Sequence, residues 1–310
     1  MQSYTSKDIA IVVPTKDRPQ SIRELLSSLA VQSAPPGRVI IVDSGVRLDS
    51  VITEFSGVLP IEYHRSAPSQ IRQRKLGLSL LDESTPLVAT IDDDIVFEPN
   101  AFAEVLEVMN SYGAALAGVG FNTRSSSEND ISFFDRLFCM ESLHPGVITS
   151  SGYNTSIANV TQNIHTSWLG GGYTVWKFSI LRQYKQEELK TSWAVGEDVR
   201  LSYQIGKKHP LIVACKAYFR EKQVFSTSSA TFYKGLKAAA AFYYFVKRNP
   251  ELSRLLCIWM LLGRALGSML IGLRKRKVGY LNYGIGHFLV VAMIPGDFLK
   301  LFSIKRLLED

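Results

Sequence analysis

Four short apolar runs in the first half of the chain, with helical periodicity between them, limit the fold more than any other feature. Residues 9–14 read IAIVVP, 38–44 RVIIVDS, 60–64 PIEYH and 86–92 PLVATID. Continuous apolar runs of this length read as strands buried on both faces. Ile22, Leu25, Leu26 and Leu29 recur at helical spacing after Pro19, a residue suited to a first helical turn. Residues 69–81 predict a second helix, and Phe102, Val105, Leu106 and Met109 predict another after Pro99. Buried strands joined by helices predict an α/β fold, a mainly parallel sheet with helices on both faces. Such sheets bind ligands at the carboxyl ends of their strands, where Pro14, Thr15, Asp43 and Asp92 to Asp94 all fall.

The segment TIDDDIVFEPN, residues 90–100, sets three carboxylates side by side at a strand end. Packing gains nothing from adjacent like charges, so the cluster is either a solvated loop or a cation site. Asp92 and Asp94, two apart, can share a divalent cation with the oxygens of a diphosphate. Mg²⁺ and Mn²⁺ favour few protein carboxylates, with phosphate and water completing the shell. Asp43 ends the second strand and reads in two ways, as an acceptor for a nucleobase or ribose or as a turn residue in Asp43-Ser44-Gly45.

Charge and cysteine content narrow the class. Residues 247–310 hold 11 Lys and Arg against 4 Asp and Glu, and the preceding residues balance, so the whole net charge of +7 lies in the tail. A nucleic-acid-binding catalytic surface would carry its basic residues on the main domain, so no nucleic-acid partner is expected. A basic, apolar tail instead suits an anionic membrane surface. Cys139, Cys215 and Cys257 are far apart and in no metal-ligand spacing, which predicts neither a disulfide framework nor a zinc site. The apolar stretch at the start is too short for a signal peptide, which points to a cytoplasmic working part.

Taken in order, IVVPTKDRPQSIRELLSSLAVQS, IIVDSG, SQIRQRKLGL, TIDDDIVFEP and GEDVRLSYQIG resemble the inverting glycosyltransferases of the GT-A fold, family two. The resemblance runs from about residue 9 to about residue 208. It implies a Rossmann-like GT-A domain over residues 1–225, while charge and apolar pattern give a helical, basic, apolar region over 226–310. By resemblance, Pro14, Thr15, Arg18 and Asp43 hold the nucleotide, and Arg74, with Arg72 as rival, faces the diphosphate. The metal motif falls on Asp92 and Asp94 with Asp93 between them, implying Mg²⁺ or Mn²⁺ as cofactor. The family has Asn after the helix arginine where this chain has Lys75.

On the acceptor side, WLGGGYTVWKFSIL (168–181) looks like the small-residue strand and helix that wall the sugar site, with Gly171 and Gly172 admitting substrate. A plain tight turn is the equal alternative. Glu197 and Asp198 match the family's Glu-Asp pair at a helix start, with Asp198 as catalytic base; an ordinary helix cap is the alternative. Trp168 and Trp193 flank this region and read as sugar-stacking rings or as core. The Gln-any-any-Arg-Trp motif of processive synthases is absent, which favours transfer of one sugar at a time.

In the tail, residues 228–246 predict an amphipathic helix, and 255–273 form an apolar run broken by Arg264, Ser268 and three glycines. RKRK (274–277) follows, then a second apolar run containing Pro295 and Asp297. A single crossing would put RKRK outside, against the positive-inside tendency. Helices lying on or dipping into the inner leaflet satisfy both length and charge. The expected activity is inverting transfer of one sugar from a nucleoside-diphosphate sugar to a hydroxyl, in a lipid-linked glycan precursor of cell-surface polysaccharide, at the cytoplasmic face of the membrane. Two alternatives stand beside it: a haloacid-dehalogenase-like phosphatase, whose Asp-any-Asp motif belongs on a first strand, and a non-catalytic membrane-bound sugar-nucleotide binder.

Overall fold

A computed structural model describes residues 3–124, 133–185, 187, 195–221, 231–301 and 303–308. The elements run β1 (Ile9–Thr15), α1 (Pro19–Ala30), β2 (Arg38–Asp43), α2 (Asp49–Phe55), β3 (Ile61–Arg65), α3 (Gln70–Ser79), β4 (Leu87–Ile91), β5 (Ile95–Phe97), α4 (Ala101–Ser111) and β6 (Gly118–Thr123). They continue with α5 (Phe133–Leu137), β7 (Ile164–Thr166), β8 (Tyr173–Lys177), α6 (Phe178–Leu181), α7 (Glu197–Gly206), β9 (Leu211–Glu221), α8 (Thr231–Arg248), α9 (Arg254–Lys275) and α10 (Val278–Phe298).

The strands form one sheet in the order β3-β2-β1-β4-β8-β6-β9-β5, with β7 pairing β9. The first four are parallel, as buried runs joined by helices require. Beyond β4 the sheet is mixed: β8 runs antiparallel to both β4 and β6, and β5 and β7 run antiparallel to β9. The parallel pattern expected from the first half thus holds over β3, β2, β1 and β4 and recurs beyond them only where β6 pairs β9. Every residue of β1 and β4 is buried. Ile22, Leu25, Leu26 and Leu29 of α1 are buried in the same core as Phe102, Val105, Leu106 and Met109 of α4. Phe97, Phe102 and Phe121 join in an aromatic cluster with ring centroids 4.7 to 5.1 Å apart.

Register brings the polar strand ends into line. Thr15 pairs with Asp43, and Asp43 with Arg65, so the ends of β1, β2 and β3 share one edge. Helix α3 locks this edge, because Gln73 Nε2 donates to the Thr15 and Val42 carbonyls, each at 2.7 Å. Ser69 caps α3 by accepting the Arg72 N–H at 3.4 Å, the start that the sequence predicted.

The chain divides into two compact units. One comprises Met1–Ser127, Ile157–Glu187 and Glu197–Gln223, and the other comprises Glu128–Ser156, Glu188–Gly196 and Val224–Asp310. In the second, α10 packs on both α8 and α9. The backbone of Gly286 lies against Phe232 and Leu236 of α8, and that of Gly284 against Ala265 of α9. The turn between α9 and α10 is made by Arg276, which adopts the left-handed conformation at φ 52°. By length and composition α9 and α10, of 22 and 21 residues, are each long and apolar enough to cross a membrane.

Candidate active site

The strand ends of the first unit carry most of the expected polar residues in linked groups. Thr15, at the end of β1, donates its hydroxyl to Asp93 Oδ2 at 2.7 Å. Arg18, just before α1, donates through Nη1 to Asp93 Oδ1 at 2.8 Å and Asp94 Oδ2 at 3.1 Å. Burial pushes the Asp93 carboxyl up, against the pull of Thr15 and Arg18. Asp94 is also pushed up, first by burial and then by the charge of Asp92.

Asp43 is fully buried, and its carboxylate is saturated from three sides. Oδ1 accepts the Gly45 N–H at 2.7 Å, and Oδ2 accepts from the Tyr63 hydroxyl at 2.7 Å and pairs with Arg65. The turn reading of Asp43-Ser44-Gly45 is thus realised, at the strand-end position that the ligand reading also required. Pro14 is buried within β1.

Arg74 is buried in α3 and spans two acids. Nη2 donates to Asp92 Oδ1 at 2.6 Å and Nη1 to Glu197 Oε1 at 2.7 Å. The resemblance turned Arg74 toward a diphosphate; here its guanidinium lies on carboxylates. Arg72 is exposed, because two residues along a helix turn a side chain by about 200°, to the opposite face. Burial, opposed by Arg74 and reinforced by Asp198 and Asp92, pushes the Glu197 carboxyl up to about 7. Arg74 Nε and Glu197 Oε2 are buried with no hydrogen-bond partner among the described residues.

Asp198 lies in the first turn of α7, where its Oδ1 accepts the Val199 N–H at 2.8 Å and its Oδ2 the Gly171 N–H at 3.3 Å. The glycines make room for these acids. A Cβ on Gly171 would stand 2.9 Å from Asp198 Cβ and 3.0 Å from Arg74 Nη1, and one on Gly172 would collide with the Asp92 carboxylate. A cavity of about 30 Å³ beside Arg74, Thr90, Gly171 and Asp198 has room for ordered water rather than for a sugar ring. Trp168 is buried, at 7% exposure. Trp193 lies outside the described residues.

Tyr173 and Glu221 were not singled out in the sequence. Tyr173 opens β8 directly after the three glycines, and burial together with the charges of Asp198, Glu221 and Asp92 raises its hydroxyl pKa, keeping it a proton donor. Glu221 pairs in register with Ile95, beside Asp94; burial and the charges of Asp94 and Asp92 push its carboxyl up. The sequence signal for Glu221 would have been the β5–β9 pairing, which a three-residue strand does not announce.

Asp92 suits a cation. Its Oδ1 accepts from Arg74 and, at 3.0 Å, from Gln70 Nε2, while Oδ2 lies over Gly172 and takes no hydrogen bond among the described residues. No group of three or more His, Cys, Asp or Glu among the described residues is arranged to hold a metal ion. Two protein carboxylates, with phosphate and water completing the shell, fit that arrangement.

Residues 10–185 match the Glycosyl transferase family 2. The chain belongs to that family. Like other family 2 glycosyltransferases it adopts the GT-A fold, and solved structures bear this out. S. aureus TarS 1-349 superposes with a TM-score of 0.55 at 15% identity, covering 94% of this chain and 82% of that one. The mannosyltransferase PcManGT from Pyrobaculum calidifontis, in complex with GDP-Man and Mn²⁺, gives 0.56 at 13% identity, covering 97% and 83%. No curated protein matches the sequence. This family 2 glycosyltransferase transfers sugar from a nucleotide sugar, and Glu197 and Asp198 lie beyond the matched span.

Proposed function

We propose that this glycosyltransferase moves one sugar at a time from a nucleoside-diphosphate sugar to an acceptor hydroxyl, with inversion at the anomeric carbon. The observation that carries this reading is the link from Asp92 through Arg74 to Glu197, with Asp198 held beside Arg74 by the Gly171 N–H. A cation-type carboxylate and a base-type carboxylate thereby share one buried guanidinium.

Each residue then has a task. Asp43, with Tyr63 and Arg65, forms the wall for base and ribose, and Thr15 and Arg18 order the Asp93 and Asp94 carboxylates. Asp92 and Asp94 would hold Mg²⁺ or Mn²⁺, whose positive charge offsets that gathering on a departing diphosphate. Support comes from PcManGT, described with GDP-Man and Mn²⁺, and from TarS, described with UDP-GlcNAc. Asp198 takes the proton from the acceptor oxygen as it attacks from the face opposite the diphosphate. Two backbone N–H groups, of Gly171 and Val199, aim its oxygens. Glu197 braces Arg74, and Tyr173 supplies a neutral donor among acids.

We further assign the acceptor to lipid-linked glycan chemistry at the cytoplasmic face of a membrane. The support is the second unit, with two long apolar helices joined at Arg274 to Lys277 and exposing Leu255, Trp259, Leu266, Leu270 and Leu273. A hairpin lying in the interface puts that stripe toward acyl chains and the basic turn on anionic headgroups. The phosphatase reading is set aside, because the acidic motif ends the fourth strand of a family 2 domain.

The deciding experiment compares Asp198→Asn with the native chain. Nucleoside-diphosphate binding is expected to persist while turnover falls roughly 10²- to 10⁴-fold, the usual worth of a positioned base. Equal loss of binding would assign Asp198 to the nucleotide site or to a structural cap, and unchanged turnover would remove it from the mechanism.

A further inference from the structure

Helix α9 carries one charged side chain between its ends, Arg264, set among apolar residues and glycines. At about 100° per residue, Arg264 lies opposite the exposed stripe Leu255, Trp259, Leu266, Leu270 and Leu273. It therefore points toward its own unit, where it is half-buried.

Every partner of this cation is neutral. Nη2 donates to the Tyr283 hydroxyl at 3.1 Å and Nε to His287 Nε2 at 3.3 Å. Since Arg only donates, His287 Nε2 accepts, so Nδ1 carries the proton and meets the Tyr283 carbonyl at 3.2 Å. The guanidinium carbon lies 5.6 Å from the Tyr153 ring centre and 5.2 Å from that of Phe242, and these rings stack at 17°. No carboxylate pairs with Arg264 among the described residues. Asp297, on the neighbouring helix, is taken by Lys247 Nζ at 2.7 Å and by the Ile304 N–H at 3.0 Å.

A half-buried cation without a counter-charge is costly to hold in apolar surroundings. Nearby aromatic rings offset part of that cost without using the N–H donors of the guanidinium. Two of its donors are used, and a planar fork of the remaining ones matches the oxygens of a phosphate. The basic turn at Arg274 to Lys277 would concentrate the same kind of ligand around this unit.

We propose that Arg264, with Tyr283 at its edge and the stacked rings of Tyr153 and Phe242 beside it, forms a phosphate-binding site separate from the nucleotide edge. The ligand is a phosphate group, carried by a lipid headgroup or free in solution. If the hairpin lies in the interface, its acyl-facing stripe and Arg264 are on opposite sides of α9, which sets the guanidinium at headgroup level rather than among chains.

The test titrates the full chain in neutral detergent with dihexanoyl phosphatidic acid and, separately, with inorganic phosphate. The native chain should bind saturably, and R264Q should bind roughly tenfold or more weakly. Preference for phosphatidic acid makes a lipid the source; equal binding of the two makes it free phosphate; dependence on Arg264 supports the site in both cases. If the native chain binds neither probe, or R264Q binds both as the native chain does, the inference is overturned and Arg264 is a packing cation. Should R264Q fail to fold, R264K decides, since it keeps the charge and loses the planar fork. Weaker phosphate binding by R264K supports the site, and unchanged binding overturns it. Binding of UDP and GDP with Mn²⁺ should be the same in native and R264Q chains. If neither nucleotide binds the native chain, the transferase reading fails, while the phosphate site still stands or falls on its own titrations.

Discussion

Arg74 and Arg264 are both helix arginines withdrawn from bulk water, yet one is enclosed by acids and the other by rings and neutral acceptors. Arg74 shares its fork between Asp92 and Glu197, and the charge of Asp198 acts on it as well. Arg264 meets Tyr283, His287, Tyr153 and Phe242. The first arrangement spends its cation on protein acids and so fixes their geometry in advance. The second leaves charge uncancelled, which is what a site for an anion from outside requires. Sign and burial alone therefore do not tell a structural cation from a binding one; the charge of its neighbours does.

Removing each arginine should separate the two cases most widely. Arg74→Met leaves Asp92 and Glu197 without their shared partner and is expected to destabilise the fold by about 3–5 kcal/mol, measured by urea unfolding. Arg264→Met strands no charge, so its cost should stay near about 1–2 kcal/mol. Equal costs would erase the distinction. Next in size is the turn after α9. Replacing Arg274, Lys275, Arg276 and Lys277 with neutral residues should remove about 1 kcal/mol of surface attraction each, so the variant binds neutral and anionic vesicles alike. The native chain should prefer anionic vesicles and lose that preference as salt rises, while still binding through its apolar stripe. A native chain that ignores vesicles at low salt would remove the membrane from the second unit.

The nucleotide edge offers two smaller tests. Asp94→Ala should abolish transfer and the metal-dependent stabilisation by a nucleoside diphosphate, a loss of about 2.7 kcal/mol at a ligand concentration 100 times Kd. Undiminished Mn²⁺-dependent thermal shifts would reassign the carboxylate. Glu197 supplies the last test. Its folded pKa of about 7 lies above its ordinary 4.5, so its contribution to stability is full below about pH 4.5 and is lost as pH rises through 7. Stability measured by denaturant should fall by on the order of 2 kcal/mol more across that window in the native chain than in Glu197→Gln. Parallel curves would show that Arg74 holds Glu197 ionised throughout.

Legibility in the sequence tracked local pattern. The strands β1, β2 and β4 were readable because they are buried on both faces and so apolar throughout, and the acids Asp43 and Asp92 to Asp94 were readable because they end such runs. Helix α3 buries Gln73 and Arg74, so its period is weak, and Ser69 marked its start better than its faces did. The three-residue strands β5 and β7 carry no pattern of their own, and the mixed half of the sheet that depends on them was not foreseen. Tyr63, Arg65 and Gln73 acquire meaning only through tertiary contact, since each meets an acid or a carbonyl far away in the chain, while Tyr173 and Glu221 are placed by strand pairing within the field of distant acids. The glycines at 171 and 172 were read as room for substrate or as a tight turn, and a Cβ at either would meet Asp198 and Arg74 or Asp92. Arg264 was visible as an interruption of an apolar run, but its neutral company was not.

The hydrogen bond from Arg74 to Glu197 joins residues 123 positions apart, and that from Arg18 to Asp93 joins residues 75 apart. Contacts of that span form only after the intervening chain has paid its closure entropy, which slows folding in proteins rich in them. A nascent chain released before α7 would hold Arg74 and Asp92 without Glu197 and without Asp198, the proposed base. On the proposed mechanism, transfer then begins only once α7 has docked its two acids against Arg74 and the Gly171 N–H.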